Sequence, residues 1–492
     1  MIRMKNIFFI FIISVAVIIV ASCFSAFSRL SEGDINYTDS GEHVPVRDYS
    51  YDPEIKAGTE DVRKYRTGEP HVRAVQITKQ MVDDVRSNPV QNLSRLVEKL
   101  TAGVTDPFER VKIIHDWIVL NVEYDMKSYE GGSIPKQSSV YVLKTGTAVC
   151  SGFSNLFQIM CETAEIPCQV IRGYGRGIDY DPFDGNEEVE TNHDWCAVKI
   201  NRGWYFVDVT WDGNVFNDTG EYSSQYFFTT PGMMIHSHLP INPRWQLLGK
   251  PLSAKVFLDQ PEFNPVFFTV FGDVPPVDFK KRLKVKEEYV LKLPPVNAGY
   301  EVLFILFGGV SLQTVQKKSL KNIPHCVKVE YMEDKTVVHI LFPAKKTYRL
   351  DFSYKLKSAK TGTSGVIFGT LIFENAKPAK RSFPEIASAL DYSNFRPQII
   401  SLVYGPLVAG RTYTFHFIQP EATNCSVVYM KGKKVEFLKS CAAVDGKGTF
   451  RFQITVPTDA GRHTDETEEL IHVSIKAHDK FLGGVGYTCI KQ

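Results

Sequence analysis

The chain has 492 residues, 43% of them hydrophobic, and carries 57 basic against 55 acidic side chains for a formal net charge of +2. That length suits about three domains, and the apolar content is ample for their cores. The near-even charge balance gives no reason to expect a nucleic-acid partner.

Residues 1–23 read as a targeting segment and not as part of the fold. Arg3 and Lys5 make a positive start, and Ile7 to Val20 form an apolar stretch of signal-peptide length. That is shorter than the ~20 residues a membrane-spanning helix needs. The stretch ends in Val20-Ala21-Ser22-Cys23, which resembles the bacterial lipobox. The resemblance implies lipidation of Cys23, export to the cell envelope and attachment to a membrane through the lipid. An ordinary cleaved signal, giving a secreted protein, and an uncleaved anchor are the alternatives. Residues 24–65 are polar and weakly periodic, and read as a tether.

A core domain is expected over residues 66–265. In DPFERVKIIHDWIVLNVEYD, Asp106, Pro107 and Glu109 take the N-cap, N1 and N3 positions of a helix. Its apolar side is Val111, Ile114, Ile118 and Val122, and His115 and Trp117 read as packing residues. A second helix opens at Cys150, with Phe153, Leu156, Phe157, Met160 and Cys161 as one apolar stripe. The Cys150 thiol then lies at a helix N-terminus, which favours the thiolate by about 0.3–1 kcal/mol. A free thiol starts near pKa ~8.5, so a base must supply the rest. Gly152 is expected to leave room beside the thiol for a substrate backbone, and the Cys150 amide to serve as an oxyanion donor.

The segments TNHDWCAVKI and GWYFVDVTWDG read as two strands joined by a tight turn at Asn201-Arg202-Gly203. With a two-residue loop, Trp195 lies opposite Asp208, and His193 is its diagonal neighbour on the same face, within bridging reach. A three-residue loop would put His193 and Asp208 on opposite faces. Cys150, His193 and Asp208 together make a nucleophile, a base and a group to orient the base. A zinc site is the competitor, since Cys161, Cys168 and Cys196 are close by. No pair among them has the short spacing of structural zinc ligands, and no metal or other cofactor is expected.

These segments resemble the transglutaminase-like superfamily, and within it the group of kyphoscoliosis peptidase and its bacterial relatives. The similarity continues through YFFTTPGMMIHSHLPINPRWQLL, and covers roughly Arg73 to Pro265. The resemblance implies an α+β papain/transglutaminase-like core followed by β-rich, immunoglobulin-like modules. It also implies that Cys150 is the nucleophile, His193 the general base and then acid, and Asp208 the residue that orients His193. In related enzymes a tryptophan or glutamine side chain gives the second oxyanion donor. Gln137, Trp195 and Trp117 are the candidates here.

Beyond Pro265, short alternating runs rich in β-branched and aromatic residues replace helical stripes. Pro295-Val-Asn-Ala-Gly is echoed by Pro406-Leu-Val-Ala-Gly, and Phe342-Pro343 by Val456-Pro457. Two β-sandwich domains, 266–380 and 381–492, are expected from this echo, with one larger β-domain as the alternative. The chain has nine cysteines. With Cys23 lipidated and Cys150 free, an odd number remains, and one sandwich disulfide is expected among Cys326, Cys425, Cys441 and Cys489.

The function expected is cysteine-dependent acyl transfer on peptide or glutamine amides, with hydrolysis by a peptidase or amidase favoured over protein crosslinking. The partner expected is a protein or peptide substrate. The alternative is a non-catalytic surface scaffold that uses the core and the sandwiches for binding.

Overall fold

The computed structural model describes residues 47–492, apart from 178–179, 181–188, 214–221, 273–279, 311–319, 324–325, 358–365, 381–382, 384, 389–397, 402–404, 406, 432–433, 446–447, 459, 461–468, 478–479 and 491–492. The apolar segment at the start of the chain and Cys23 therefore lie outside the described residues. No helix among the described residues is long and apolar enough to cross a membrane. The chain divides into two compact units, the first formed by residues 1–269 with 277–279, the second by 270–276 with 280–492.

The first unit is an α+β core. Its main helices are α1 (Lys79–Ser87), α2 (Pro89–Thr101), α3 (Pro107–Asn121), α4 (Ser139–Thr145) and α5 (Cys150–Thr163). The start of α3 is fixed by Asp106, whose Oδ1 accepts from the Phe108 amide at 2.9 Å, with Pro107 at N1. The apolar face of α5 is Phe153, Leu156, Phe157, Met160 and Cys161, all buried, as its 3.6-residue period requires.

The sheet of this unit has five strands, β1 (Cys168–Gly175), β2 (His193–Ile200), β3 (Gly203–Val207), β4 (Phe227–Thr229) and β5 (His238–Pro240). Their order is β4-β3-β2-β1-β5, antiparallel throughout. Alternation sends Cys196, Val198 and Ile200 into the helical core, while Trp195, Ala197, Trp204 and Phe206 join a second core with Trp211 and Trp245. Cys161 and Cys168 are packed in that helical core beside Cys196, and burial pushes the thiols of Cys161 and Cys168 up, which keeps both protonated.

The β2–β3 hairpin decides the register. Ile200 pairs with Gly203, so the loop is the two residues Asn201 and Arg202. Both are left-handed, with φ of 49° and 69°, the turn sense that matches strand twist.

Residues 47–65 do not behave as a tether. Trp204 N–H donates to Lys56 O and Gly58 N–H to Trp204 O, both at 2.9 Å, so this segment adds to the edge of β3. The approach needs glycine, because a Cβ on Gly203 would sit 2.3 Å from the Gly58 Cα. Tyr49 packs edge-on against Trp204, and Lys199 pairs with Asp52 at 2.6 Å. Its anchors are single aromatic and polar residues, which leave no periodic trace in the sequence.

The second unit holds two β-sandwiches. The first contains β6 (Arg282–Val285), β7 (Glu288–Leu293), β8 (Tyr300–Gly308), β9 (Lys321–Asn322), β10 (Val327–Tyr331), β11 (Thr336–Leu341), β12 (Thr347–Leu356) and β13 (Val366–Asn375). One sheet runs β7-β11-β10 and the other β9-β8-β12-β13, with β6 parallel to β13. The second contains β14 (Glu385–Ser388), β15 (Gln398–Ser401), β16 (Leu407–Val408), β17 (Thr412–Ile418), β18 (Asn424–Lys431), β19 (Lys434–Ala442), β20 (Thr449–Thr455), β21 (Glu469–Ala477) and β22 (Lys480–Ile490). Here the sheets are β15-β17-β20 and β14-β22-β21-β18-β19, with β16 parallel to β22. In both, a short strand runs parallel to the last strand and the longest hairpin closes the larger sheet, the immunoglobulin-like arrangement.

This topology corrects the sequence echo. Phe342-Pro343 and Val456-Pro457 do follow matching strands, β11 and β20. The Pro295 motif, however, precedes β8 in the larger sheet, whereas the Pro406 motif precedes β17 in the smaller one. A Pro-x-x-Ala-Gly turn suits any loop leading into a strand, so its recurrence did not mark equivalent places.

Candidate active site

Cys150 is the first residue of α5, where a backbone amide has no intrahelical acceptor. The helix is held against β2 by Ser154 Oγ, which donates to Asp194 O at 3.0 Å, and by Cys196 Sγ, which donates to Ser154 O at 3.5 Å. That packing sets the thiol beside His193, the first residue of β2. Continuing the hairpin register by one pair puts Trp195 opposite Asp208, and His193 reaches the aspartate diagonally. His193 Nε2 lies 2.7 Å from Asp208 Oδ2, and Cys150 lines the same cavity as His193, near enough to help raise the imidazole's pKa. With Nε2 taken by Asp208, Nδ1 is the ring nitrogen left for the thiol.

Burial opposes a charge on His193. The adjacent Asp208 carboxylate and the hydrogen bonds from Asp208 and Cys150 outweigh it, and push its pKa up to about 10. Asp208 is wholly buried, which disfavours its charge. His193 and His238 beside it nevertheless hold its carboxyl well below the usual carboxylate range. Its Oδ1 accepts from the amides of Thr210 at 3.0 Å and Trp211 at 3.1 Å. An aspartate with four hydrogen bonds is fixed in both position and charge.

Several residues that act on this arrangement escaped the sequence reading. His238 Nε2 lies 3.0 Å from the same Asp208 Oδ2, and its Nδ1 lies 2.8 Å from Ser237 Oγ. Burial lowers the His238 pKa to about 4, against the pull of Asp208, so it is a neutral donor. One carboxylate oxygen thus serves one charged and one neutral imidazole. Trp211 stacks on His193 with centroids 4.9 Å apart and planes 27° apart. Gly175 lets the imidazole in, since a Cβ there would lie 2.9 Å from His193 Cβ. Asn192 holds Gly175 in place by accepting from its amide at 2.7 Å and donating to its carbonyl at 3.0 Å. Trp211 sits inside the VDVTWDG segment itself, whereas His238 in IHSHLP carried no signal beyond a histidine in an apolar run.

Cys150 and His193 face a small cavity that opens partly to solvent. Its described walls are largely aromatic and uncharged, formed by Tyr124, Tyr129, Tyr180 and Trp211 with Met126, Asn192 and Thr210. Gln137 and Trp195 are not among the lining residues. Gln137 turns its carboxamide onto the backbone, accepting from the Val149 amide at 2.9 Å and donating to Pro135 O at 3.0 Å. It braces the turn before Cys150. Trp195 stacks behind His193, and Trp117 is buried within α3. Gly152 does not face the substrate side either: a Cβ there would meet Gln137 Oε1 at 2.4 Å, because position 152 points into the core.

His193, Asp208 and His238 offer atoms within 4.8 Å of one another, a grouping that fits a metal by residue type. Nε2 of both histidines is engaged with Asp208 Oδ2, at 2.7 and 3.0 Å. His115 packs as expected, its ring centroid 4.7 Å from that of Phe227, but packing is not all it does. It is buried in an ionic cluster with Asp116 and Asp212.

An α+β core that brings a thiol, an imidazole and a carboxylate together at a helix–sheet junction defines the papain/transglutaminase class. Residues 94–209 match the family described as the Transglutaminase-like superfamily, and the chain carries a domain of that superfamily. Kyphoscoliosis peptidase from Mus musculus and from Homo sapiens are each 32% identical over 173 residues, 34% of this chain and 26% of either relative. Hillarin from Drosophila melanogaster is 27% identical over 191 residues, 35% of this chain and 23% of its own length. A solved structure described as a TGase is 18% identical, covers 32% of this chain and 40% of its own, and has a TM-score of 0.20. The chain spans about a quarter of the length of the curated relatives it matches.

Proposed function

We propose that this protein is a cysteine acyl-transfer enzyme acting on peptide or glutamine amides, with hydrolysis as its principal outcome. The observation that carries this reading is the His193–Asp208 hydrogen bond beside Cys150, with the thiol and the imidazole lining one cavity. The Cys150 sulfur attacks the amide carbonyl carbon, forming a C–S bond and moving the π electrons onto oxygen. The Cys150 amide at the start of α5 stabilises that oxyanion. Collapse breaks the C–N bond, and the departing amine takes its proton from His193. Water then attacks the thioester while His193 accepts its proton, and sulfur leaves as thiolate. Asp208 keeps Nε2 protonated throughout, so Nδ1 does the proton transfers.

Apart from the reacting groups, the described walls are aromatic and uncharged, which favours an uncharged acyl side chain. Glutamine or an apolar residue fits this chemistry, and transfer to a lysine amine in place of water is the crosslinking variant. The apolar stretch and Cys23 extend the proposal to an exported, lipid-anchored protein of the bacterial envelope. Label from radioactive palmitate that survives Cys23→Ala would remove that part.

The test is Cys150 reactivity followed by turnover. The protein and its Cys150→Ala variant are treated with iodoacetamide near pH ~6, where an ordinary thiol is almost fully protonated. They are then given glutaminyl and peptide substrates, with and without a lysine-like amine. Rapid alkylation at Cys150 with Cys150-dependent cleavage supports a peptidase, and amine incorporation a crosslinker. Alkylation no faster than that of an ordinary thiol points to the binding scaffold.

A further inference from the structure

The steps assigned to Cys150, His193 and Asp208 leave a dense buried cluster of the same unit unused. His115 lies on α3 with no exposed surface. Its Nδ1 is 2.8 Å from Asp116 Oδ1 and its Nε2 is 3.1 Å from Asp212 Oδ2. Lys112 pairs with Asp116 Oδ2, Tyr222 Oη donates to Asp116 Oδ1 at 2.6 Å, and the His71 amide donates to Asp116 Oδ2 at 2.6 Å. Burial disfavours a charge on His115, but its bonds to both aspartates prevail and raise its pKa.

The connection to the reacting groups runs through Asp212. Asp208 and Asp212 are the two ends of one turn, with the Asp212 amide donating to Asp208 O at 3.3 Å. The Asp208 carboxylate caps the near end on the amides of Thr210 and Trp211. The far end is held by the Asp212 carboxylate, whose Oδ1 accepts from Ser223 Oγ at 2.9 Å and the Tyr226 amide at 3.0 Å. Tyr226 O in turn accepts from the Asp208 amide at 3.1 Å, which closes the circuit. Between the two ends lies Trp211, stacked on His193. Of this turn's side chains, Asp212 is the one bonded to α3, and His115 is the residue it meets there.

We propose that His115, acting through Asp212, is a positioning residue for the reacting pair, fixing the turn that carries Asp208 and Trp211 against His193. The role rests on the catalytic reading above. A bland stabilising cluster would be indifferent to which residues it tied together; this one ties the central helix to the far end of the turn bearing Asp208. Among the described residues, the charged and titratable groups that act on His193 are Asp208, Cys150, His238 and the adjacent Asp194, and only Asp208 rides this turn. Loosening the turn therefore weakens the hold on the His193 proton and, with it, the thiolate.

The test uses the full chain and measures Cys150 alkylation by iodoacetamide from about pH 4 to about pH 9, well below each variant's melting temperature. His115→Leu is expected to slow alkylation at about pH 6 by about tenfold to a hundredfold, the cost of a misplacement near 1 Å. It should also move the acid limb of the profile towards the ordinary thiol range. His115→Gln keeps an N–H donor towards Asp212 and should recover much of the loss. A folded His115→Leu protein whose profile superimposes on the wild type overturns the proposal. Should that variant not fold, Ser223→Ala, which removes one hydrogen bond from the same carboxylate, must shift the limb in the same direction, and an unmoved profile there overturns it equally. A wild-type Cys150 no faster than an ordinary thiol overturns the catalytic reading itself, a result distinct from fast wild type with unmoved variants.

Discussion

Replacing Asp208 by asparagine isolates the charge at the centre of the site. The new side chain is nearly isosteric with the old one, and its carbonyl can still accept from the amides of Thr210 and Trp211, so the turn keeps its shape. What changes is the other edge. An amide NH2 now faces the Nε2 atoms of both His193 and His238, where a carboxylate oxygen accepted from them. His193 must then accept at Nε2 and carry its proton on Nδ1, facing the thiol it should deprotonate. The Asp208 charge is also the chief influence that raises His193 from 6.5 to about 10 against burial. Its loss returns the imidazole to its ordinary value or below, a change of about 3 pKa units, or about 4–5 kcal/mol of preference for the charged form. At neutral pH the imidazolium fraction falls from nearly all to about a quarter or less. Alkylation of Cys150 at about pH 6 should accordingly drop by about two to three orders of magnitude, with the acid limb moving up towards ~8.5. Circular dichroism should show an unchanged fold. A profile of the Asp208→Asn variant coincident with the wild type would refute the assignment of Asp208 as the group that orients and charges His193.

Other consequences follow from single features. Gly175→Ala puts a Cβ 3.1 Å from the His193 ring atoms Cδ2 and Cγ, and should cut Cys150 alkylation at least about tenfold while the protein stays folded. His238 and His236 are both lowered to about 4 by burial, so the unfolded chain takes up those protons first. The stability that these two histidines contribute is then complete above about pH 6.5 and declines as pH falls towards 4, by up to about 1.4 kcal/mol per pH unit for each. The raised His193 adds nothing in that window, its contribution being lost only as pH rises towards 10. Urea midpoints across the window should show the slope, and His238→Gln should reduce it by about half. Arg202→Gly relieves a left-handed arginine in the hairpin loop, φ 69°, and should raise stability by about 0.5–1 kcal/mol, read as a higher urea midpoint. Cys425 lies directly opposite Cys441 on β18 and β19, so oxidised glutathione should convert these two thiols to a disulfide, releasing two glutathione thiols. Peptide mapping that finds both still alkylatable would count against it.

The sequence made legible what depends on local spacing. The stripe from Phe153 to Cys161 defined α5 and so put Cys150 at its start. The choice between two and three loop residues reduced the His193–Asp208 relation to one register question, and the loop is Asn201-Arg202. Long-range partners were hidden. His115 looked like core because it sits among apolar neighbours on α3, and its meaning comes from Asp212, far away in the chain. Asp212 itself was in plain view beside Trp211, but its role lies in what folds over it. Residues 47–65 lack period because they bind through scattered contacts, and the Pro-x-x-Ala-Gly echo failed because turn chemistry recurs without homology of place.

His193 and Asp208 stand on one hairpin, whereas Cys150 arrives on α5 and is held by the packing around Ser154. The imidazole–carboxylate distance is therefore a property of a single supersecondary unit, and the sulfur–imidazole distance a property of how two layers meet. Mild warming or dilute denaturant that slackens the layer contact would separate the sulfur from an intact acid–base pair. Loss of fast Cys150 alkylation should then precede melting and reverse on cooling, making the junction between helix and sheet the most fragile part of the arrangement.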